Sequence, residues 1–129
     1  MRMGMRQDMR GFTLIELLVV LAIIATLLTL AVPRYFSSLQ KSKEVVMKEN
    51  LWLIRDALDK YYSDNGKYPD RLEDLAVRKY LRAIPIDPLT NSSTTWRTVA
   101  PADSDKGGVY DVKSGAPGVS TEGSSYSAW

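Results

Sequence analysis

The chain has 129 residues, of which 17 are basic and 15 acidic, and it contains neither cysteine nor histidine. A disulfide framework, a thiolate or imidazole metal site, and catalysis by a Ser-His-Asp or Cys-His arrangement are therefore excluded. The near balance of charge also argues against nucleic-acid binding, which needs a basic stripe that displaces counterions.

An apolar stretch, residues 12–32, follows a basic segment, residues 1–11, that holds three arginines and one aspartate. A helix of about 20 apolar residues rises about 30 Å, which is enough to cross the hydrocarbon core of a bilayer. We therefore predict a transmembrane helix over residues 12–32. The positive-inside tendency keeps residues 1–11 cytoplasmic, so everything after Val32 is expected outside the inner membrane.

One carboxylate, Glu16, interrupts this apolar stretch. A charged residue at membrane depth costs about 2.5–3.5 kcal/mol at the centre of a helix, so such residues usually have a function or a partner. The partner of Glu16 is therefore expected to be a positive group.

The apolar stretch also has two less specific interpretations. In an ordinary signal anchor, Glu16 would reach water by snorkelling. A conventional secretory signal cut after Thr29-Leu30-Ala31 fits poorly, because its apolar region normally has about 7–15 residues and no acid.

The run Gly11-Phe12-Thr13-Leu14-Ile15-Glu16, placed after a short basic leader, resembles the processing signal of type IV pilins and type II secretion pseudopilins. This resemblance implies that a prepilin peptidase cuts after Gly11 and methylates the new amino terminus at Phe12. It also implies that Glu16 assists assembly of a homopolymeric filament. The amine freed on Phe12 would be the nearest plausible cation for Glu16. Because the two residues are four apart, pairing within one subunit competes with pairing between subunits, and the sequence leaves both open. The implied partners are the prepilin peptidase, minor pseudopilins and an inner-membrane assembly platform.

Beyond Pro33 the pattern becomes amphipathic, which predicts that the helix continues over residues 33–65. Pro33 itself removes a backbone hydrogen bond, so we predict either a helix kink or a locally opened turn there. The apolar residues recur at alternating spacings of four and three, and we assign them to a core: Met47, Leu51, Ile54, Leu58 and Tyr61. The charged residues between them are expected to face solvent or neighbouring subunits: Lys48, Glu49, Arg55, Asp56, Asp59 and Lys60. Arg55 and Asp59 are candidates for ion pairs between subunits.

We predict that residues 66–129 form a connector helix and a small β-sheet. The turn residues Asp64-Asn65-Gly66 end the long helix, and Asp70 with Glu73 predicts a capping-box start for a short connector helix. Residues 94–99 and 109–112 have strand character and predict an antiparallel hairpin. A third short strand is predicted at residues 125–129, with its terminal aromatic residues buried.

The stretch from residue 57 to the run Ile84-Pro85-Ile86-Asp87-Pro88 resembles the major pseudopilin of type II secretion. Leu89 and Thr90 replace the Trp and Gly that usually follow in that family, so the turn there is expected to differ in shape.

The same resemblance implies calcium binding by carboxylates in the last loop, where a hard cation prefers oxygen ligands. In this chain the positions expected to be acidic hold Pro117, Ser124 and Ser125, which leaves Asp111 and Glu122 as nearby acids. We therefore predict no metal site and no cofactor, with calcium as the disfavoured candidate.

These observations predict an α+β, type IV pilin-like fold with a long N-terminal α-helix, transmembrane and then amphipathic, and a small C-terminal antiparallel β-sheet. The predicted segments are the cleaved leader (1–11), the transmembrane and assembly helix (12–32), the amphipathic stem (33–65) and the connector helix with sheet and loop (66–129).

The function expected from the resemblance is that of a structural subunit of the periplasmic pseudopilus, which drives export of folded proteins across the outer membrane. The subunit would be a single-pass protein of the inner membrane with its C-terminal domain in the periplasm. A type IV pilin for adhesion, motility or DNA uptake is the alternative, disfavoured by the missing C-terminal disulfide. An anchored enzyme is disfavoured by the small core and by the lack of paired catalytic carboxylates.

Overall fold

A computed structural model describes residues 11–129, so the predicted leader lies outside the described residues except for Gly11. The order of elements is helix α1 (Leu14–Asn65), helix α2 (Asp74–Val77), strand β1 (Arg97–Val99), a 3₁₀ turn (Ser104–Lys106), strand β2 (Asp111–Lys113) and a second 3₁₀ turn (Tyr126–Ala128). The predicted combination of one long N-terminal helix with a small antiparallel sheet is confirmed. The chain divides between Ser38 and Leu39 into two units, which are described in turn.

The amino-terminal unit consists, in its described part, of the first half of α1, where every residue from Gly11 to Ser38 is exposed. The helix is long and apolar enough to cross a membrane. Within residues 12–32, two hydroxyl groups donate to the helix backbone: that of Thr26 to the carbonyl of Ala22 at 2.9 Å, and that of Thr29 to the carbonyl of Thr26 at 2.6 Å. This segment therefore exposes little polar surface that would need water.

Pro33 lies inside α1. Proline has no amide hydrogen, so the carbonyl of Thr29 lacks the donor that an α-helix normally provides four residues later.

The carboxyl-terminal unit, Leu39–Trp129, has a core built on one face of α1. The five residues assigned to this face from their spacing are all buried, which confirms the predicted phase of the helix: Met47, Leu51, Ile54, Leu58 and Tyr61. They pack with buried residues from the connector and the hairpin, namely Leu72, Leu75, Trp96, Val109 and Val112. Trp52 lies on the opposite side of α1, and its side chain is 63% exposed rather than part of the core.

The long helix ends where the turn residues predicted. Asn65 is its last residue, and Gly66 follows with a positive φ of 74°, a conformation that glycine adopts without strain. The amide of Gly66 donates to the carbonyl of Tyr62 at 2.8 Å, which closes the last turn.

The connector helix α2 has only four residues, and its predicted capping box is wrong. Glu73 is the N-cap but makes no side-chain cap bond. Instead, the carboxylate of Asp74 accepts from the amide of Arg71 at 3.3 Å. The side chain that binds a free amide before this helix is thus that of Asp74 and not that of Glu73.

Strands β1 and β2 pair antiparallel in the register Arg97↔Lys113, Thr98↔Val112 and Val99↔Asp111, which confirms the hairpin with shorter strands than predicted. Two glycines let backbones approach closely here. A Cβ atom at Gly115 would overlap the carbonyl oxygen of Thr95, and one at Gly108 would overlap that of Asp70.

The predicted third strand is wrong. Residues Tyr126–Ala128 form a 3₁₀ turn, and the nearest strand-like feature is an isolated bridge between Val119 and Ser125. The predicted burial of terminal aromatic rings is confirmed for Tyr126, which is buried and packs edge-on against Trp129 at 5.2 Å between ring centroids. The aromatic rings alone indicated burial, because a serine-rich segment carries no alternating pattern that decides its backbone conformation.

Candidate functional site

The predicted processing and assembly residues lie at the start of α1. Gly11 and Phe12 precede the first helical residue, Leu14, and both are exposed, with the Phe12 side chain 84% accessible. In the uncut chain, therefore, Phe12 does not share a helical face with Glu16. The peptide bond between Gly11 and Phe12 is in non-helical, accessible backbone, the state in which a peptidase can bind it.

Glu16 is engaged with the end of its own helix. The amide of Thr13 donates to Oε2 of Glu16 at 3.3 Å, and the amide of Glu16 donates to Oγ1 of Thr13 at 3.1 Å. This reciprocal pair is a capping box, which satisfies two of the amides that a helix leaves without partners at its N-terminus. The positive end of the helix dipole also favours a carboxylate in the first turn.

The role of Thr13 was missed at the level of sequence, although the signal was present. A Thr followed three residues later by a Glu before an apolar run is the sequence pattern of a capping box. By capping the helix, Thr13 makes α1 begin at Leu14, so that Phe12 and Thr13 separate the helix from the bond between Gly11 and Phe12.

Arg55 is engaged within its own subunit, which corrects its proposed availability for pairs between subunits. Its Nε donates to Oδ1 of Asp111 at 2.8 Å, and its guanidinium also donates to the carbonyls of Val112 at 3.0 Å and Trp129 at 2.8 Å. Asp59 is exposed and keeps its place as a candidate.

The residues around the last loop do not fit a calcium ion. Asp111 is held by Arg55, while Glu122 is largely exposed and lies 3.7 Å from the ammonium of Lys48. Within residues 11–129 no group of three or more Asp, Glu, His or Cys side chains is close enough to hold a metal. Calcium normally takes about six to eight oxygen ligands, several of them carboxylates.

A long helix that begins apolar and capped, just after the predicted cleavage point, and ends in the core of a small α+β unit is typical of type IV pilin-like subunits. The family model described as "Prokaryotic N-terminal methylation motif" matches residues 6–32. This match covers both sides of the predicted cleavage point.

Curated relatives match well beyond that motif. The chain is 35% identical over 102 residues to the type II secretion system core protein G of Pseudomonas aeruginosa, which covers 67% of this chain and 72% of the relative. It is 31% identical over 124 residues to the core protein G of Escherichia coli K12, covering 84% of this chain and 81% of the relative. The chain therefore belongs to the family of type II secretion system core protein G.

A second kind of relative matches over a shorter range. The type IV major pilin protein PilA of Myxococcus xanthus is 39% identical over 61 residues, which is 47% of this chain and 28% of that pilin. No solved structure gives a significant match.

Proposed function

We propose that the chain is the repeating structural subunit of the pseudopilus of a type II secretion system. The observation that carries the proposal is the pairing of an exposed apolar helix start, with Glu16 inside it, and core protein G relatives that cover most of the chain. The family defines the system, and the geometry of the helix start accounts for how a subunit could be processed and then polymerised.

Processing is proposed to occur between Gly11 and Phe12, by a prepilin peptidase that also methylates the new amine of Phe12. The bond lies just outside α1, because the capping box of Thr13 and Glu16 starts the helix at Leu14. A peptidase needs an accessible, extended segment, and this arrangement supplies one without unfolding any helical turn.

Assembly is proposed to follow when the methylated amine of one subunit approaches Glu16 of another. Glu16 then exchanges its hydrogen bond from the Thr13 amide for a charged partner. A capping interaction contributes about 1 kcal/mol. The attraction between full charges grows as the dielectric constant falls. In an apolar filament core, the ion pair between Glu16 and the amine is therefore stronger than the hydrogen bond from the Thr13 amide.

The apolar surface of α1 supports the same proposal. While the subunit waits in the inner membrane, lipid covers this surface, and its C-terminal unit lies in the periplasm. Once a subunit leaves the bilayer, the exposed side chains would meet water unless neighbouring helices covered them. A bundle of such helices in the filament centre removes this surface from water again.

The proposal is tested first by intact mass and N-terminal fragmentation of the protein extracted from membranes. The expected mature chain begins with N-methylated Phe12. A chain that retains residues 1–11, or one that begins at Val32, would contradict both the processing step and the filament built on it.

The alternative, a type IV pilin, is favoured only by the shorter match to PilA. A strain that lacks the chain decides between the two. Loss of extracellular release of folded proteins, restored by the wild-type chain, is expected for a pseudopilus subunit. Loss of surface filaments or motility with secretion intact would assign the chain to a type IV pilus instead.

A further inference from the structure

The C-terminal loop, defined here as residues 117–129, is fastened to helix α1 although it contains only one 3₁₀ turn. At the centre of this attachment is Glu44, a charged residue with only 5% of its surface exposed. The amide of Thr121 donates to Oε1 and Oε2 of Glu44 at 3.1 and 3.2 Å, and the hydroxyl of Thr121 donates to Oε1 at 2.6 Å. The hydroxyl of Tyr126 donates to Oε2 at 3.1 Å.

The groups around Glu44 are hydrogen-bond donors aimed at a negative charge. Gln40 extends the network, because its side-chain amide donates to the hydroxyl of Tyr126 at 2.6 Å and leaves the hydroxyl hydrogen for Glu44. Both oxygens of the carboxylate are therefore occupied, which is how a buried charge is stabilised without a counterion in contact. Such a ring of N–H and O–H groups repels a cation, so this position suits the carboxylate and not a metal ion.

Two more residues of α1 hold the loop at other points. The ammonium of Lys48 lies 3.7 Å from Oε2 of Glu122 and 4.7 Å from the centre of a Trp129 ring. The guanidinium of Arg55 binds the main-chain carbonyl of Trp129 at 2.8 Å. The attachment thus extends along several turns of the helix.

Inside the loop, hydroxyl groups organise the backbone. Oγ of Ser120 accepts from the amides of Glu122 and Ser124, both at 3.2 Å, and lies 3.0 Å from Oγ of Ser124. The indole of Trp129 donates to Oγ of Ser124 at 2.9 Å. Ser124 is one of the positions where the family resemblance places an acid, and here its oxygen is already used within the loop.

We propose that Glu44 takes the structural place of a metal ion in this chain: its carboxylate clamps the C-terminal loop to helix α1, so that the loop folds without calcium. This inference goes beyond the proposed function. Its test reads only the folding of the isolated subunit, so its failure would leave the proposed filament role standing.

The first experiment measures thermal unfolding and amide hydrogen exchange of the full chain in detergent micelles, with EGTA or with millimolar calcium chloride. The expected result is the same melting temperature and the same protection of the Thr121 amide in both conditions. A melting temperature that rises with calcium concentration, together with new protection in residues 117–129, would overturn the proposal.

The second experiment compares Glu44→Gln with Glu49→Gln, an exposed position on the same helix. Glu44→Gln keeps the shape but loses the charge and one acceptor oxygen. We expect exchange of the Thr121 amide to accelerate by about tenfold or more, because hydrogen bonds to a charged group are the stronger kind. Glu49→Gln should leave that exchange unchanged.

Since a core variant can fail to fold, Thr121→Val provides a separate readout at an exposed position. It removes the hydroxyl donor and keeps the backbone amide. Faster exchange in residues 117–129, with the core of the carboxyl-terminal unit still protected, is expected. Unchanged exchange at Thr121 in Glu44→Gln and throughout the loop in Thr121→Val would show that the carboxylate is not the clamp.

Discussion

The two halves of helix α1 carry apolar side chains for opposite purposes. In the amino-terminal unit Leu21 is 53% exposed, whereas in the carboxyl-terminal unit Leu51 is 2% exposed. The first half is apolar all round, and the second is apolar on one face only. An apolar helix that its own chain does not cover is made for another environment, either lipid or further copies of itself. A single helix therefore combines an uncovered apolar surface with the buried centre of a folded unit.

The largest effect is expected at Glu16, the one acidic residue in the exposed half of α1. Glu16→Ala should abolish filament formation while membrane insertion survives, because the variant has no carboxylate for the amine of Phe12. Electron microscopy of sheared filaments and fractionation of membranes would measure the two outcomes. Normal filaments from this variant would rule out the proposed pairing.

Glu16→Gln separates the two roles of this residue. Glutamine keeps the capping bond to the Thr13 amide but has no charge. If charge pairing drives assembly, Glu16→Gln fails as Glu16→Ala does. If helix capping alone matters, Glu16→Gln assembles normally.

Truncation of matched leucines tests the contrast directly. Leu51→Ala should lower the free energy of unfolding of the carboxyl-terminal unit by about 2–5 kcal/mol, because it leaves a cavity in a packed core. Leu21→Ala should leave that unit unchanged and reduce filament yield. Thermal unfolding of both variants in micelles, with filament yield measured in parallel, checks the pair. Equal destabilisation of the carboxyl-terminal unit by both variants would contradict the difference between the exposed and the buried half of α1.

A second buried carboxylate, Asp87, is expected to have a smaller effect. Its side chain is fully buried, and it accepts from the amide of Leu89 at 2.8 Å and from the hydroxyl of Ser114 at 3.1 Å. Asp87→Ala should cost about 1–3 kcal/mol of unfolding free energy, since it leaves these donors without a partner. Chemical denaturation measures the loss, and the exposed Asp59→Ala is the control.

Acid should loosen the C-terminal loop through Glu44. Burial raises the pKa of this carboxyl, but the hydrogen bonds from Thr121 and Tyr126 and the charge of Lys48 outweigh burial and hold the pKa below its ordinary value of 4.5. The stabilisation is therefore present above about pH 4.5 and is lost as the pH falls through the lowered pKa.

The other charged groups facing this position are Lys41 and Lys48 of α1 and Glu122 of the loop. The protection of the Thr121 amide, taken relative to its intrinsic exchange rate at each pH, should fall in acid in the wild type and depend less on pH in Glu44→Gln. The same pH dependence in both would assign the effect to another group.

The smallest expected effect is at Thr13. Thr13→Val should cost about 1 kcal/mol of helix stability at the first turn, because valine cannot cap, whereas Thr13→Ser should be close to neutral. The predicted readout is faster peptidase cleavage after Gly11 in Thr13→Val, measured on the purified precursor, because a frayed first turn lengthens the extended segment around the bond. Equal cleavage of the two variants would show that the helix start does not position the bond.

Sequence alone predicted the features that depend on neighbouring residues. The buried face of α1 followed from spacing, and the end of the helix followed from the turn residues before and at Gly66. Glu44 and Arg55 could not be assigned in this way, because a charged residue between apolar ones is normally solvated. Their partners Thr121 and Asp111 are distant in sequence, and only the fold brings them together.

The close backbone approaches at Gly108 and Gly115 also limit which sequences this fold can accept. At both positions even a methyl group would overlap a carbonyl oxygen of a neighbouring segment, so a library of random substitutions should yield no folded survivor there. Gly118 and Gly123 have positive φ angles of 98° and 92°, so any other residue there should strain the backbone although the space around both is open. Substitution beside the hairpin is thus limited by overlap with neighbouring backbone, and substitution at these two loop glycines is limited by backbone conformation.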